Sequence, residues 1–303
     1  MKESNLPLVS IILATYNRAH ILGRAIDSVL RQTYPNFELI IIDDGSTDNT
    51  SSVLQKYSDP RIRIFKHEFN MGVTAAKNSG LRQIRGDWFS TFDSDDEMLP
   101  DAISSMMDIP LNVDKTITSV TCNCYLANSN EFSGKGLDCD SYIKANEIMP
   151  LTSGDFWGMN KTSLLNGETF NDRLNGIEST LWYKINERAK TYYLHKALNI
   201  IHLEGADRVS IKRTSLSKKN IHYANLVNEK LYLQITKKYK PIEYCNLCKV
   251  GMIVMRANKN KKIAAMYYEL LKDCKKSPMI RIAGLNLPSW VFRFYLYLNP
   301  SIR

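Results

Sequence analysis

Two short runs of β-branched and aliphatic residues, 8–14 (LVSIILA) and 37–42 (FELIII), open the hydrophobic pattern and predict buried parallel strands. Between them Ile21, Leu22, Ala25, Ile26, Val29 and Leu30 recur at three- and four-residue spacing, which predicts an amphipathic helix that ends before Pro35. The alternation repeats with a helix around residues 49–57, a strand at 61–65, a helix at 73–84 and a strand at 88–92. Strands alternating with helices imply right-handed crossovers and an α/β domain built on a mostly parallel sheet flanked by helices. The ligand crevice of such a sheet lies at the carboxyl ends of its strands.

Beyond Thr214 the period changes. Residues 216–239, 242–257 and 261–272 all read as helices, so the chain is expected to divide into an α/β domain at 1–212 and a helical C-terminal region at 213–303. A length of 303 residues with 44% hydrophobic content suffices for both. No apolar run reaches the roughly 18 residues of a membrane span, and residues 1–7 are polar and too short for a signal peptide. The catalytic part is therefore expected in the cytoplasm, at most peripheral on the inner face of the membrane. The six cysteines form one C-x-C and one C-x-x-C with no second pair or nearby histidines, which excludes a structural zinc site and predicts free thiols.

The carboxylates fall where the crevice should be. Asp43-Asp44-Gly45-Ser46-Thr47-Asp48 follows the second strand, and Asp93-Ser94-Asp95-Asp96-Glu97 follows the fourth. Such clusters are not buried without partners. Ser46, Thr47 or Asp48 can cap the next helix, which leaves Asp43 and Asp44 unexplained. The second cluster alternates carboxylates like a calcium loop, but Met98 stands where that loop needs glycine and Pro100 interrupts it. A hard divalent cation held by one or two carboxylates together with substrate phosphates remains.

Four motifs in order, residues 10–18 (SIILATYNR), 43–48 (DDGSTD), Asn70-Met71-Gly72 with Ala76-Lys77-Asn78, and Asp93-Ser94-Asp95-Asp96, resemble the family 2 glycosyltransferases. The resemblance is close over about residues 6–105 and looser to about residue 210. It implies a GT-A, Rossmann-like fold, inversion at the anomeric carbon, and a UDP-linked or similar nucleotide-sugar donor. By the same resemblance Asp44, with Asp43, accepts a hydrogen bond from the base ring, and Thr15, Tyr16 and Asn17 line the base and ribose pocket. Asp93 and Ser94 lie against the donor, and Asp93 is a ribose or metal contact. Asp95 is the main ligand of Mg²⁺ or Mn²⁺, which acts as a Lewis acid on the departing diphosphate. Asp96 is expected to cap the following helix. Lys77 and Asn78 stand where relatives have Arg-Asn, and they are expected to reach the nucleotide; lysine keeps the charge but loses the bidentate fork.

An acceptor hydroxyl also needs a base. Residues 171–182 resemble the family segment in which Glu-Asp precedes an aromatic-rich helix, and two registers are open. Counting back from Leu181-Trp182 makes Glu178 the base. Counting forward from Gly176 puts Ser179 in the catalytic position, which would leave a nucleotide-sugar-binding or scaffolding subunit. His202 and Arg208 resemble the late element that contacts metal or diphosphate; a histidine satisfied at a strand end is the plainer reading of His202. Trp157, in Gly154-Asp155-Phe156-Trp157-Gly158, is expected either on the acceptor side facing a sugar or in the core.

Finally, the charge of +9 is uneven, with the acidic clusters early and the Lys/Arg runs after Lys212. Residues 275–298 combine aromatics with Lys275, Lys276, Arg281 and Arg293, a composition that suits a membrane interface and hence a polyprenyl-linked saccharide acceptor. Packing against the catalytic domain or a dimer partner is the alternative. Nucleic acid is not an expected partner, because the basic tail carries no recognisable reading module.

Overall fold

The computed structural model describes residues 6–129, 131–144, 152–174, 178–203, 216–274 and 288–298. The chain divides into two compact units, Met1–Glu204 and Gly205–Arg303.

In the first unit β1 (Val9–Thr15), β2 (Phe37–Asp43), β3 (Ile62–Lys66) and β4 (Trp88–Asp93) are parallel, in the order β3-β2-β1-β4. Next come the short β5 (Glu97–Met98), β6 (Ser119–Leu126), β7 (Ser141–Ile143), β8 (Phe156–Lys161) and β9 (Thr191–Ile201). β8 joins β4 and β6 antiparallel, β6 runs parallel to β9, and both β5 and β7 pair antiparallel with β9. The result is the expected mixed α/β architecture around a nine-stranded sheet.

Every residue of β1 and β2 is buried, because helices cover both faces. Alternate residues go to opposite sides. Ile11, Leu13, Leu39 and Ile41 pack with Leu22, Ala25, Ile26 and Val29 of α1 (Leu22–Leu30), while Ile12, Ile40 and Ile42 pack with Ala76 and Leu81 of α3 (Val73–Leu81). α3 lies so close to β1 that a Cβ on Gly80 would stand 2.3 Å from Ile12 Cγ2. Between them in sequence is α2 (Thr50–Leu54); among the described residues of this unit α4 (Ala102–Asp108) and α5 (Ser179–Arg188) are the further α-helices.

The second unit contains α6 (Leu216–Leu226), α7 (Lys230–Tyr239), α8 (Pro241–Ala257), α9 (Lys261–Leu271) and α10 (Ser289–Leu298) around its own core, centred on Met252, Ile253, Ala264 and Tyr267. The single helix expected over 216–239 is broken after Leu226, where the Asn228 amide bonds back to Ala224 O at 3.1 Å and offers the backbone an alternative to helix. The free-thiol expectation is corrected at one pair. Cys245 on α8 and Cys274 after α9 have Cα atoms 5.8 Å apart and form a disulfide, leaving Cys122, Cys124, Cys139 and Cys248 as thiols. Among the described residues no helix is long and apolar enough to cross a membrane.

Candidate active site

The parallel strands end in one row. Thr15 pairs with Asp43 across β1 and β2, and Ala14 pairs with Asp93 across β1 and β4. The first and second motifs meet behind this row. Asn17 takes a left-handed conformation (φ 53°), which lets its Oδ1 accept from Thr47 N at 2.8 Å while its own N–H donates to Ser46 Oγ at 2.9 Å. Asn17 therefore braces the 46–48 loop. Tyr16 beside it stays exposed.

The two adjacent aspartates have different surroundings. Asp44 is buried and spent within the protein: Oδ1 lies 2.7 Å from His67 Nδ1 and accepts from Met71 N at 2.9 Å, while Oδ2 accepts from Asn70 Nδ2 at 3.0 Å and Gly72 N at 2.8 Å. Its carboxylate pins the loop carrying the third motif against Gly45. That glycine has φ +72° and no room for a Cβ, which would fall 2.5 Å from the Phe69 carbonyl carbon. Asp43 Oδ1 accepts from Ser46 N at 2.9 Å, but Asp43 Oδ2 makes no hydrogen bond and has only the half-exposed Lys66 ammonium 3.6 Å away, and its neighbour Thr15 Oγ1 is buried without a hydrogen bond. Buried polar groups left unmatched in this way suit a ligand's donors. The acceptor available at this strand end thus belongs to Asp43, where the resemblance put Asp44 first.

Lys77 and Asn78 do not present themselves to a nucleotide as expected. The Asn78 amide donates to Phe170 O at 2.9 Å and Asp172 Oδ1 at 2.6 Å and accepts from Phe170 N at 2.8 Å, clamping the 170–172 segment onto α3. Lys77 is buried and bridges Asp93 Oδ1 at 2.9 Å and Glu178 Oε1 at 2.7 Å. Burial works against its charge, but Asp93 and Glu178 outweigh it and hold the ammonium well above the ordinary lysine range. The same ammonium, against the pull of desolvation, holds Asp93 below the usual carboxylate value, although 59% of the Asp93 side chain is exposed. Glu178 stands immediately before α5, and Ser179 is the first residue of that helix. The bridge carries Glu178, not Ser179, to the strand-end carboxylates.

Around the Asp93-Ser94-Asp95-Asp96 turn, Ser94 is buried, Arg18 approaches Asp95 to 3.9 Å, and Arg24 Nη2 donates to Asp95 O at 2.7 Å. Asp96 does not cap α4, whose N-cap position is Asp101. It accepts from Asn199 Nδ2 at 3.0 Å and from the His202 N–H, and burial, with Asp93 and Asp95 nearby, pushes its carboxyl up to about 8. Asp96 thereby ties the end of β9 to the turn. His202 Nε2 is buried without a hydrogen bond, with Glu97 Oε2 3.5 Å away.

Among the described residues no three His, Cys, Asp or Glu side chains converge as a complete metal site. Asp93, Asp95 and His202 are therefore not brought together as one metal site, and a cation at the Asp93-Ser94-Asp95 turn would need phosphate oxygens for its remaining positions. Arg208 lies outside the described residues. Trp157 is corrected as an acceptor-facing residue: its ring is buried in the core, edge-on to Phe92, and Nε1 donates to Thr91 O at 3.1 Å. Sequence reasoning gave no role to Arg18 or His67. Arg18 directly follows Asn17 in the first motif, whereas the partners of His67, Asp44 and Ser79, are apparent only in three dimensions.

The mixed sheet with carboxylates at its parallel strand ends is that of a GT-A glycosyltransferase. Residues 10–164 match Glycosyl transferase family 2, and the chain belongs to that family and is a glycosyltransferase. It is 33% identical over 294 residues to the GalNAc(5)-diNAcBac-PP-undecaprenol beta-1,3-glucosyltransferase of Campylobacter jejuni, covering 94% of this chain and 92% of that one. The fold is shared with S. aureus TarS 1-349 in complex with UDP (TM-score 0.59, 17% identity, 88% of each chain). It is shared also with the mannosyltransferase PcManGT of Pyrobaculum calidifontis in complex with GDP-Man and Mn²⁺ (TM-score 0.55, 16% identity, 99% of this chain and 86% of that one).

Proposed function

We propose that the chain transfers a sugar, with inversion, from a UDP-sugar to a hydroxyl of a polyprenyl-linked saccharide in cell-surface polysaccharide synthesis. The observation that carries the reading is the Lys77 bridge, which draws the carboxylate just before α5 to Asp93 at the end of β4 although 101 residues separate Lys77 and Glu178 in sequence. In this reading Asp43 Oδ2 accepts the uracil N–H, with Thr15 beside it, and Asp93 holds the ribose. Glu178 takes the proton of the acceptor hydroxyl as its oxygen attacks the anomeric carbon opposite the diphosphate; the new carbon–oxygen bond forms as the bond to phosphate breaks. Asp95, with Asp93 and the donor's phosphate oxygens, would hold Mg²⁺ or Mn²⁺, which would supply positive charge to the departing diphosphate. The UDP complex of TarS supports the nucleotide, and the undecaprenol-linked substrate in the Campylobacter jejuni enzyme's name supports the acceptor class.

Calorimetric titration with UDP and GDP, with and without Mn²⁺, tests the donor half, and transfer assays of Glu178→Gln test the base. The expected result is metal-dependent UDP binding lost in Asp95→Ala, together with a fall in turnover of about 10²-fold or more in Glu178→Gln. A preference for GDP overturns the uracil assignment, and full turnover in Glu178→Gln overturns the base.

A further inference from the structure

The second unit carries a surface that the donor and acceptor chemistry does not use. α10 is two-faced: Phe292 and Leu296 are buried in the helical core, while Trp290, Phe294 and Tyr297 are 66%, 56% and 64% exposed. Spacings of four and three residues place these three rings in one stripe, opposite the buried pair. The helix is fixed in this orientation, because Arg293 Nε also donates to Ala257 O at the end of α8 at 3.0 Å. The rings are therefore presented outward by a packed helix.

Charge selects the partner. Residues 205–303 carry 20 Lys and Arg against 5 Asp and Glu, a formal +15, whereas residues 1–204 carry 20 against 26 and are net negative. A second copy would bring two strongly positive bodies together, which mutual repulsion opposes. Phosphates of a nucleic acid would use the charge but leave an ordered apolar stripe on one helix face without a role. An anionic phospholipid bilayer uses both, since lysines and arginines meet the headgroup phosphates while Trp and Tyr rings sit at the headgroup level with Phe beneath.

We infer that the α10 face bearing Trp290, Phe294 and Tyr297 docks the protein on an anionic phospholipid surface, lying in the interface without spanning it. The inference needs neither the donor nor the acceptor assignment, because it is read without turnover.

The test is co-sedimentation of the full chain with vesicles of phosphatidylglycerol and phosphatidylcholine, and with vesicles of phosphatidylcholine alone. Binding to the anionic vesicles, weakened by salt, is expected; the exposed double variant Trp290→Ser/Phe294→Ser should lower the partition by about tenfold or more. Its circular dichroism and melting temperature should match those of the unaltered chain, since neither side chain is buried. Absence of vesicle binding, equal binding by the double variant, or retention on single-stranded oligonucleotide in place of vesicles overturns the inference. So does a dimer in sedimentation velocity that the double variant dissolves, which would assign the stripe to self-association.

Discussion

The ammonium of Lys77 stands 2.7 Å from Glu178 Oε1 and 2.9 Å from Asp93 Oδ1, so one buried cation fixes two carboxylates that lie far apart in sequence. Replacing it with methionine removes the charge and leaves the two carboxylates facing each other. Breaking a buried pair in this way costs about 3 kcal/mol of stability, discounted here because Asp93 is largely exposed.

The effect on catalysis should be larger than the effect on binding. Lys77→Met is expected to lower kcat by about 10²-fold, because Glu178 is no longer held toward the reacting hydroxyl, while UDP affinity changes only a few-fold. Lys77→Arg should recover the fold and part of kcat, since the guanidinium keeps the charge but not the point geometry. Parallel measurement of kcat, KM and nucleotide affinity checks this. Lost UDP binding with intact kcat would return Lys77 to the role of a nucleotide contact.

Asp43 and Asp44 give a second contrast. Both Asp44 oxygens accept from backbone N–H groups, so Asp44→Asn sets an amide NH₂ against a donor whichever way it turns. That variant is expected to lose about 2–4 kcal/mol and to melt several degrees lower. In Asp43→Asn the new amide can occupy the position of Oδ2, which makes no hydrogen bond and loses only the long contact with the exposed Lys66 at 3.6 Å, so the melting temperature should move little. UDP affinity should nevertheless fall by about tenfold or more, because one ligand hydrogen bond becomes a clash of donors. Thermal melts and titration on the same two variants check both halves; the reverse pattern would restore Asp44 as the base contact.

These residues also show how far the sequence could be read. β1 and β2 were legible as short apolar runs, β3 and β4 as short segments rich in β-branched and aromatic residues that alternate with helices, and the carboxylate clusters locate the crevice through the topology of parallel strands. The choice between Asp43 and Asp44 was not legible. Adjacent residues leaving a strand point in different directions, and the donors that consume Asp44 come from residues 67–72, two elements later. The second half of the sheet was harder still. β6 and β9 pair with a register shift near Cys122–Cys124, and polar residues such as Asn123, His195 and Lys196 interrupt their apolar alternation. Trp157 was legible as an aromatic in a strategic segment, but its direction depends on the antiparallel pairing of β8 with β4 and β6.

Glu38 supplies the pH prediction. It sits buried on β2, where Oε1 accepts from Ser10 Oγ at 2.7 Å and Arg85 N at 2.9 Å, and Oε2 accepts from Arg63 Nη1 at 2.8 Å. Burial opposes its charge, but the hydrogen bonds from Ser10, Arg63 and Arg85 outweigh burial and hold the carboxyl below its ordinary value. A folded-state value below the unfolded one means that the unfolded chain binds the proton first on acidification. The stabilisation is therefore complete above the ordinary glutamate value of about 4.3 and is lost as pH falls through the lower folded value. Glu38→Gln should cost about 1–3 kcal/mol at neutral pH and flatten the acid limb of the stability curve, since its amide cannot titrate and leaves Arg63 without its anion. Melting temperatures of both proteins between about pH 3 and about pH 7 check this. The two curves should converge toward the acid end, and curves that stay parallel throughout would mean that Glu38 is not the group whose protonation weakens the fold.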